Sequence, residues 1–465
     1  MAQKLSLKRE VGIIGAMSFI AGTMVGSGIF ISPQYVLLSI GSPGASLIIW
    51  TCCGLTAMLG GLCYAELGTV IPGSGGEYIY MLRTVGKIVA FMFVFSFVIV
   101  MRPVSATGVA LACAEYVIAP FYSDCTPSQL VLKCVAAGII LLLSLINCLS
   151  VRLATGIQVV TTLVKAVVLV VIIVGGVVML FQGNNESFDD AFEGTKVGVS
   201  SIGIAFYQGL WSYDGWNTMN YLTEELKRPE VNLPRALVIA ISLVTATYLL
   251  VNVSYLAVMT PKEMMTSSAV AVTWGNKVLG SWGWIMSVAA ALSAFGSLNG
   301  TFFSGGRVCF VAAREGHMPD ILSMAHVHRL TPSPALIFTT LISLVVLIPG
   351  DFQSIVNFFS FTAWIFYGIT LSGLIYLKIK KPDLPRPYSV PIILPILVLI
   401  VATFLVLAPI IDKPQIEYLY VTLFILSGAV VYVPFIHYKL CPGLLSKLTV
   451  FLQLFLEVAP VEKNQ

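Results

Sequence analysis

Three small residues, Gly26, Ser27 and Gly28, interrupt the apolar stretch "IAGTMVGSGIF". Glycine tolerates backbone conformations that other residues avoid, so a helix is predicted to unwind here. An unwound stretch presents free N–H groups and the positive end of the next half-helix, and both attract an anion such as a carboxylate. The carbonyl groups around Met24 and Val25, at the end of the first half-helix, would accept hydrogen bonds from an ammonium group. This pair of sites matches a zwitterionic amino acid.

The same stretch has a second interpretation. Gly22 and Gly26 form a GxxxG pair, a spacing that lets two membrane helices pack closely. Taken alone, the stretch supports packing and binding about equally.

A second apolar segment is interrupted at "WSYDGW", Trp211 to Trp216. Asp214, or Ser212, could cap the N-terminus of the second half-helix there. A charge near the centre of a bilayer costs about 2.5–3.5 kcal/mol, however, so Asp214 needs a partner, for which a cationic substrate side chain is one candidate. Trp211 either packs or acts as a lid over a site.

Two cations also lie in apolar surroundings. Lys165, in "TTLVKAVVLVVII", is too deep to reach an interface easily. It could stand where a coupling sodium ion would otherwise sit, or it could make a fixed contact unrelated to transport. Arg102, just before Pro103, raises the same question.

Cys125 stands alone in the short loop "APFYSDCTPSQ", on the predicted outside. A single cysteine in an oxidising compartment favours an intermolecular disulfide, with a free thiol as the alternative.

Motifs for other chemistry are missing from the sequence. It has no GxxxxGK[ST] loop, which argues against ATP-driven pumping. Its four histidines show no metal-ligand spacing, and no Ser/His/Asp set is recognisable. We therefore predict no enzyme activity, no metal or cofactor, and no nucleic-acid partner.

The composition indicates that membrane-spanning helices position these residues. Of 465 residues, 57% are hydrophobic and only 10% charged, against about a quarter charged in soluble proteins. The chain is predicted to be an all-α polytopic membrane protein in a lipid bilayer. Stretches of membrane-spanning length predict about twelve helices, near 10–39, 44–70, 87–119, 130–150, 156–182, 199–226, 235–259, 279–313, 333–350, 354–379, 388–411 and 416–438.

Basic residues gather in alternate loops, which predicts cytoplasmic termini. The segment 315–330, between the eighth and ninth spans, is predicted to be a cytoplasmic surface helix or loop.

The two interrupted spans lie five helices apart. Transporters with two inverted five-helix repeats place broken helices at such positions, and the substrate binds where the breaks meet. We therefore predict broken helices 1 and 6 within a 5+5 repeat. The predicted division is a cytoplasmic N-terminus (1–9), a first repeat (10–182), a second repeat (183–379), two added helices (388–438) and a cytoplasmic tail (439–465).

Four stretches carry a resemblance to a known family: "GTMVGSGIFISP", "CYAELGTVIPGSGGEYIY", "AFYQGLWSYDGWNTMNYLTEELKRPEVNLPRAL" and "AREGHMP". Together they resemble the light chains of the L-type amino acid transporters, within the amino acid–polyamine–organocation superfamily. The likeness runs from about residue 8 to 458 and is greatest to the b(0,+) type.

The resemblance implies a LeuT-like fold and sodium-independent, obligatory exchange of amino acids across a plasma membrane. It implies that Ser27 and Gly28 bind the substrate carboxylate, and that carbonyls of Met24 and Trp211 take its amino group. Trp211 matches an aromatic gate. Asp214 matches a position that favours substrates with dibasic side chains, and Asn217 matches a position in the pocket for the substrate side chain. Lys165 matches a lysine that occupies the region of a sodium site in sodium-coupled relatives. Cys125 matches the cysteine that forms a disulfide with a single-span glycoprotein heavy chain of the rBAT type.

The leading hypothesis is an exchanger that imports cationic amino acids and cystine against neutral ones, as the light subunit of a disulfide-linked heterodimer. Apical placement in an epithelium and pairing of two heterodimers are further expectations. The alternatives are a neutral-selective exchanger of the same family and an amino acid sensor that does not transport. A channel suits the two broken helices least well.

Overall fold

Helices make up most of the protein in the computed structural model. It describes residues 11–73, 75–122, 125–221, 223, 226–328, 331–412, 414–438 and 442–460, without the side chains at 151, 155, 303–307, 310, 314 and 412. The predicted N-terminal segment 1–9 and part of the predicted tail 439–465 lie outside the described residues.

The first half of the chain contains nine α-helices. They are α1 (Ile13–Met24), α2 (Gly28–Ile40), α3 (Pro43–Val70), α4 (Glu77–Thr84), α5 (Lys87–Ser96), α6 (Arg102–Ile118), α7 (Gln129–Leu149), α8 (Val151–Phe181) and α9 (Val199–Ser212). A π-helical turn, Phe97–Met101, joins α5 to α6.

The second half contains nine more and a small sheet. The helices are α10 (Pro229–Val258), α11 (Pro261–Thr266), α12 (Val270–Val278), α13 (Trp284–Arg314), α14 (Ser333–Leu347), α15 (Phe352–Lys380), α16 (Ile393–Asp412), α17 (Ile416–Tyr432) and α18 (Pro442–Leu456). Strands β1 (Met324–His326) and β2 (Val458–Pro460) pair antiparallel.

Membrane-length helices dominate this arrangement. Within the described residues, nine are long and apolar enough to cross a membrane, and the bent pair α1 and α2 makes a tenth. The two other predicted spans coincide with α9 and α14, whose 14 and 15 residues fall short of the roughly 20 that a straight span needs. Helices thus occupy all twelve predicted positions, and the prediction of an all-α polytopic membrane protein is confirmed.

Both predicted interruptions are present. The axes of α1 and α2 meet at 48°, because Val25 leaves the helical region with φ −79° and ψ 94°. After α9, residues 213–217 form turns that lead into a short 3₁₀ helix, Thr218–Tyr221. Gly215 in these turns has φ +106°, which glycine adopts without a Cβ clash.

The packing pairs helices from the two halves of the chain. α2 packs against α9, α3 against α10, α6 against α13 and α7 against α14. Members of each pair are five predicted spans apart, as expected for two inverted five-helix repeats. The exact division of the chain into repeats stays a prediction.

The segment between α13 and α14 differs from the predicted surface helix or loop at 315–330. It forms a 3₁₀ turn, Asp320–Ser323, and then β1, whose partner strand β2 lies near the C-terminus. His317 is buried, and its Nδ1 lies 2.8 Å from the hydroxyl of Tyr78. The sequence did not predict this because the strand partner lies far along the chain.

Candidate functional site

The two helix breaks face each other across a cavity. Seven of the predicted pocket residues line it, namely Met24, Gly26, Ser27, Gly28, Trp211, Asp214 and Asn217. The eighth, Val25, is buried but does not line the cavity. Among the described residues, no group of three or more His, Cys, Asp or Glu side chains is placed to hold a metal ion.

Glycines let the two breaks touch. A Cβ atom on Gly28 would lie 2.7 Å from the Cα of Ser212, and one on Gly215 would lie 2.7 Å from Cγ2 of Thr23. Carbon atoms in proteins pack at about 3.5–4.0 Å, so larger residues at these positions would force the breaks apart.

The GxxxG interpretation holds for only one of its two glycines. A Cβ on Gly26 would lie 2.6 Å from Oγ of Ser297 on α13, whereas one on Gly22 would meet no atom within 4 Å. Gly26 therefore packs closely against a neighbouring helix, and Gly22 does not.

Tyr248, on α10, connects the two breaks and was not singled out from the sequence. Its buried hydroxyl lies 2.7 Å from the carbonyl oxygen of Met24 and 2.7 Å from that of Ser212. These carbonyls end α1 and α9, where helices have acceptors without intrahelical partners. One lone pair of the Met24 carbonyl thus faces a protein hydroxyl.

Ser27 immediately precedes α2 and is 2% exposed. Its side chain makes no capping hydrogen bond to the helix. The first N–H groups of a helix have no acceptors one turn back; here the amide of Phe30 bonds to the carbonyl of Ser27, and Ser27 and Gly28 line the cavity. The arrangement offers amide hydrogens and a hydroxyl to an anionic group.

Asp214 is half-buried at the second break. Its role as a helix cap stays a prediction. No cationic side chain of the described residues lies within 4 Å of it, although Arg102 attracts it electrostatically from farther away.

Arg102 reaches the same cavity from the start of α6. Its guanidinium lies 5.0 Å from the ring centre of Phe97, and its Nε is buried without a hydrogen-bond partner among the described residues. Arg102 and Asp214 therefore line the same cavity, and no ion pair within 4 Å joins them.

Trp211 is held between two helices. Its ring packs edge to face on Phe352 and Phe359 of α15, with ring centres 6.0 and 5.3 Å apart. A Cβ on Gly108 of α6 would lie 3.2 Å from the indole. Trp211 thus fills the space between α6 and α15 at one wall of the cavity.

Asn217 contacts an acidic residue, Glu77, that was not predicted from the sequence to belong to the site. Its side-chain amide donates to Glu77, and the Tyr221 hydroxyl donates to the other oxygen of that carboxylate. The Tyr64 hydroxyl adds a third bond, at 3.1 Å. Glu77 also lines the cavity. An acidic residue directly after a glycine pair in such an apolar chain was the signal that could have found it.

Lys165 is buried in α8, and its Nζ donates to the carbonyl oxygen of Gly22 at 3.1 Å. Gly22 belongs to the last turn of α1, so the lysine holds the helix just before it breaks. The contact places a positive charge beside the first break, and it agrees with both predicted roles of Lys165.

Cys125 does not line the cavity. It is exposed in the loop between α6 and α7 and is not paired with another described cysteine. Its thiol is therefore available to a partner chain.

Comparison with known proteins identifies the relatives of the chain. The family model described as "Amino acid permease" matches residues 11–435. The b(0,+)-type amino acid transporter 1 of Homo sapiens is 50% identical over 461 residues, which cover 99% of this chain and 95% of the relative, and that of Mus musculus gives the same values. The large neutral amino acids transporter small subunit 2 of Oryctolagus cuniculus is 42% identical over 88% of this chain and 77% of the relative. The chain belongs to the amino acid permease family.

Proposed function

We propose that this protein is a sodium-independent amino acid exchanger that takes up cationic amino acids and cystine in return for neutral amino acids. The observation that carries the proposal is the carboxylate of Asp214, which lines a cavity between two helix breaks and has no cationic partner within 4 Å in the described part of the chain. An unpaired intramembrane charge is usually functional, and a guanidinium or ammonium group of a substrate would pair with it.

The first break would hold the part that all amino acid substrates share. Amides at the start of α2, with Ser27 and Gly28, would bind the α-carboxylate, since helix N-termini favour anions. Carbonyls of Met24, Val25 and Trp211 would accept from the α-ammonium group. The hydroxyl of Tyr248 already lies on the Met24 carbonyl, so the substrate would use its second lone pair.

Sodium independence follows in this proposal from Lys165. Its ammonium group lies 3.1 Å from a carbonyl of the last turn of α1, where it would supply the positive charge that a coupling ion supplies elsewhere. Trp211 would act as the gate, because its ring lies at the cavity wall between two helices.

The proposed assembly is a heterodimer in the plasma membrane, at the apical face of an epithelium. Both termini of this chain would be cytoplasmic. Cys125 would form the disulfide to a single-span heavy chain of the rBAT type, because it is exposed and unpaired within the described chain. Two such heterodimers could associate.

Exchange is tested with purified protein in vesicles. Labelled arginine should enter vesicles preloaded with leucine, in sodium or choline medium alike, and should not enter empty vesicles. Equal entry into empty vesicles would contradict obligatory exchange. Leucine counterflow without arginine counterflow would favour the neutral-selective alternative, and ligand binding without any counterflow would favour the sensor.

A further inference from the structure

Glu77 is a buried carboxylate. It has no role in the predictions from the sequence or in the proposed function. It is 1% exposed and begins α4. The preceding Gly75 and Gly76 have φ of +114° and +56°, and a Cβ on Gly76 would lie 2.6 Å from the ring of Tyr221. The two glycines therefore let this loop fold tightly against the 3₁₀ helix Thr218–Tyr221.

The bonds to Glu77 determine which way the Asn217 amide points. Asn217 turns its NH₂ group toward Glu77, whose carboxylate also accepts from the hydroxyls of Tyr64 and Tyr221. Three converging donors suit an ionised carboxylate, which only accepts hydrogen bonds. The amide oxygen is then turned away from Glu77, and it can accept a hydrogen bond from a ligand in the cavity that Asn217 lines.

We propose that Glu77 is a positioning residue for substrate specificity. It holds the NH₂ group of Asn217, so that the Asn217 oxygen and the Asp214 carboxylate form a pair of hydrogen-bond acceptors where the substrate side chain would bind. Such a pair fits substrate side chains that carry several N–H donors, such as a guanidinium group, better than aliphatic ones. This inference rests on the proposed exchange of cationic amino acids.

The test compares KM values for arginine and leucine counterflow in vesicles preloaded with leucine. Glu77→Gln keeps the size of the side chain but can donate to the Asn217 oxygen and reverse the amide. We expect the arginine KM to rise about tenfold, which corresponds to about 1.4 kcal/mol, and the leucine KM to change less than about threefold. Asn217→Ala should show the same arginine-selective loss.

The double variant Glu77→Gln/Asn217→Ala separates positioning from a general structural role. If Glu77 acts through Asn217, the double variant should match Asn217→Ala alone, because the effects of coupled residues do not add. Additive losses, or equal rises for both substrates, would overturn the proposal.

Two further outcomes are distinguishable. If Glu77→Gln is not monodisperse in gel filtration, the Asn217→Ala variant still tests the proposal. Equal rises of the arginine and leucine KM in Asn217→Ala would overturn the proposed role of the Asn217 oxygen. Absence of arginine counterflow in the unchanged protein would refute the proposed function itself, whereas wild-type arginine exchange with an unaltered KM ratio in Glu77→Gln would refute only the role of Glu77.

Discussion

The two helix breaks present different chemistry to the cavity. The break between α1 and α2 offers mostly backbone groups and the small residues 26–28, whereas the break after α9 offers the side chains of Trp211, Asp214 and Asn217. Amino acids share their carboxylate and ammonium groups and differ in their side chains. We infer that the first break binds what substrates have in common and the second distinguishes them.

The largest effect is expected where the two breaks touch. Gly28→Ala would place a Cβ 2.7 Å from Cα of Ser212, and overpacking of this kind costs about 1–3 kcal/mol. Counterflow of arginine and of leucine should both fall by about tenfold or more at equal protein amounts.

Gly138→Ala is the matched control, because a Cβ at this position in α7 meets no atom within 4 Å. It should leave counterflow unchanged. If Gly28→Ala lowered only arginine counterflow, the proposed division of roles would be contradicted, because the first break would then distinguish substrate side chains.

A smaller loss is expected from Lys165→Met. The substitution removes the bond to the half-buried Gly22 carbonyl, and a hydrogen bond to a charged group contributes about 1.5–3 kcal/mol. Counterflow should fall about five- to tenfold for both substrates, as measured by initial rates. A changed ratio of arginine to leucine KM would show that Lys165 acts on side-chain recognition instead.

Tyr248→Phe should have a milder effect. It removes the hydroxyl between the Met24 and Ser212 carbonyls, and a hydrogen bond contributes about 1 kcal/mol. Initial rates should fall about fivefold for both substrates. Tyr376→Phe, at an exposed position of α15, is the control, and an equal loss there would remove any special role for Tyr248.

No effect on vesicle counterflow is expected from Cys125→Ser, because Cys125 is exposed in a loop and does not line the cavity. On a non-reducing gel with co-expressed heavy chain, the linked species should disappear. Cys134→Ser, at another exposed cysteine, should retain it. A linked species that survives Cys125→Ser would assign the disulfide to a different cysteine.

The helices were predictable from the sequence because a bilayer requires long apolar stretches whose backbone groups bond internally. The interruptions were predictable because Gly26 and Gly28 in one span, and Gly215 beside Asp214 in another, are out of place in a straight membrane helix.

Contacts made from distant helices were not predictable. Tyr248 resembles any aromatic residue of a membrane span, and only the fold brings its hydroxyl to the ends of α1 and α9. Glu77 depends on Tyr64 before it and on Tyr221 far after it in the chain. A single sequence carries no periodicity or spacing that relates such positions.

The division of roles between the breaks is tested most directly by the KM values of Asp214→Asn for arginine and leucine counterflow. Removing the charge at nearly constant size should raise the arginine KM by about tenfold or more, or about 1.4 kcal/mol, while the leucine KM changes less than about threefold. Equal changes for both substrates would contradict the account, because the second break would then not distinguish side chains by charge.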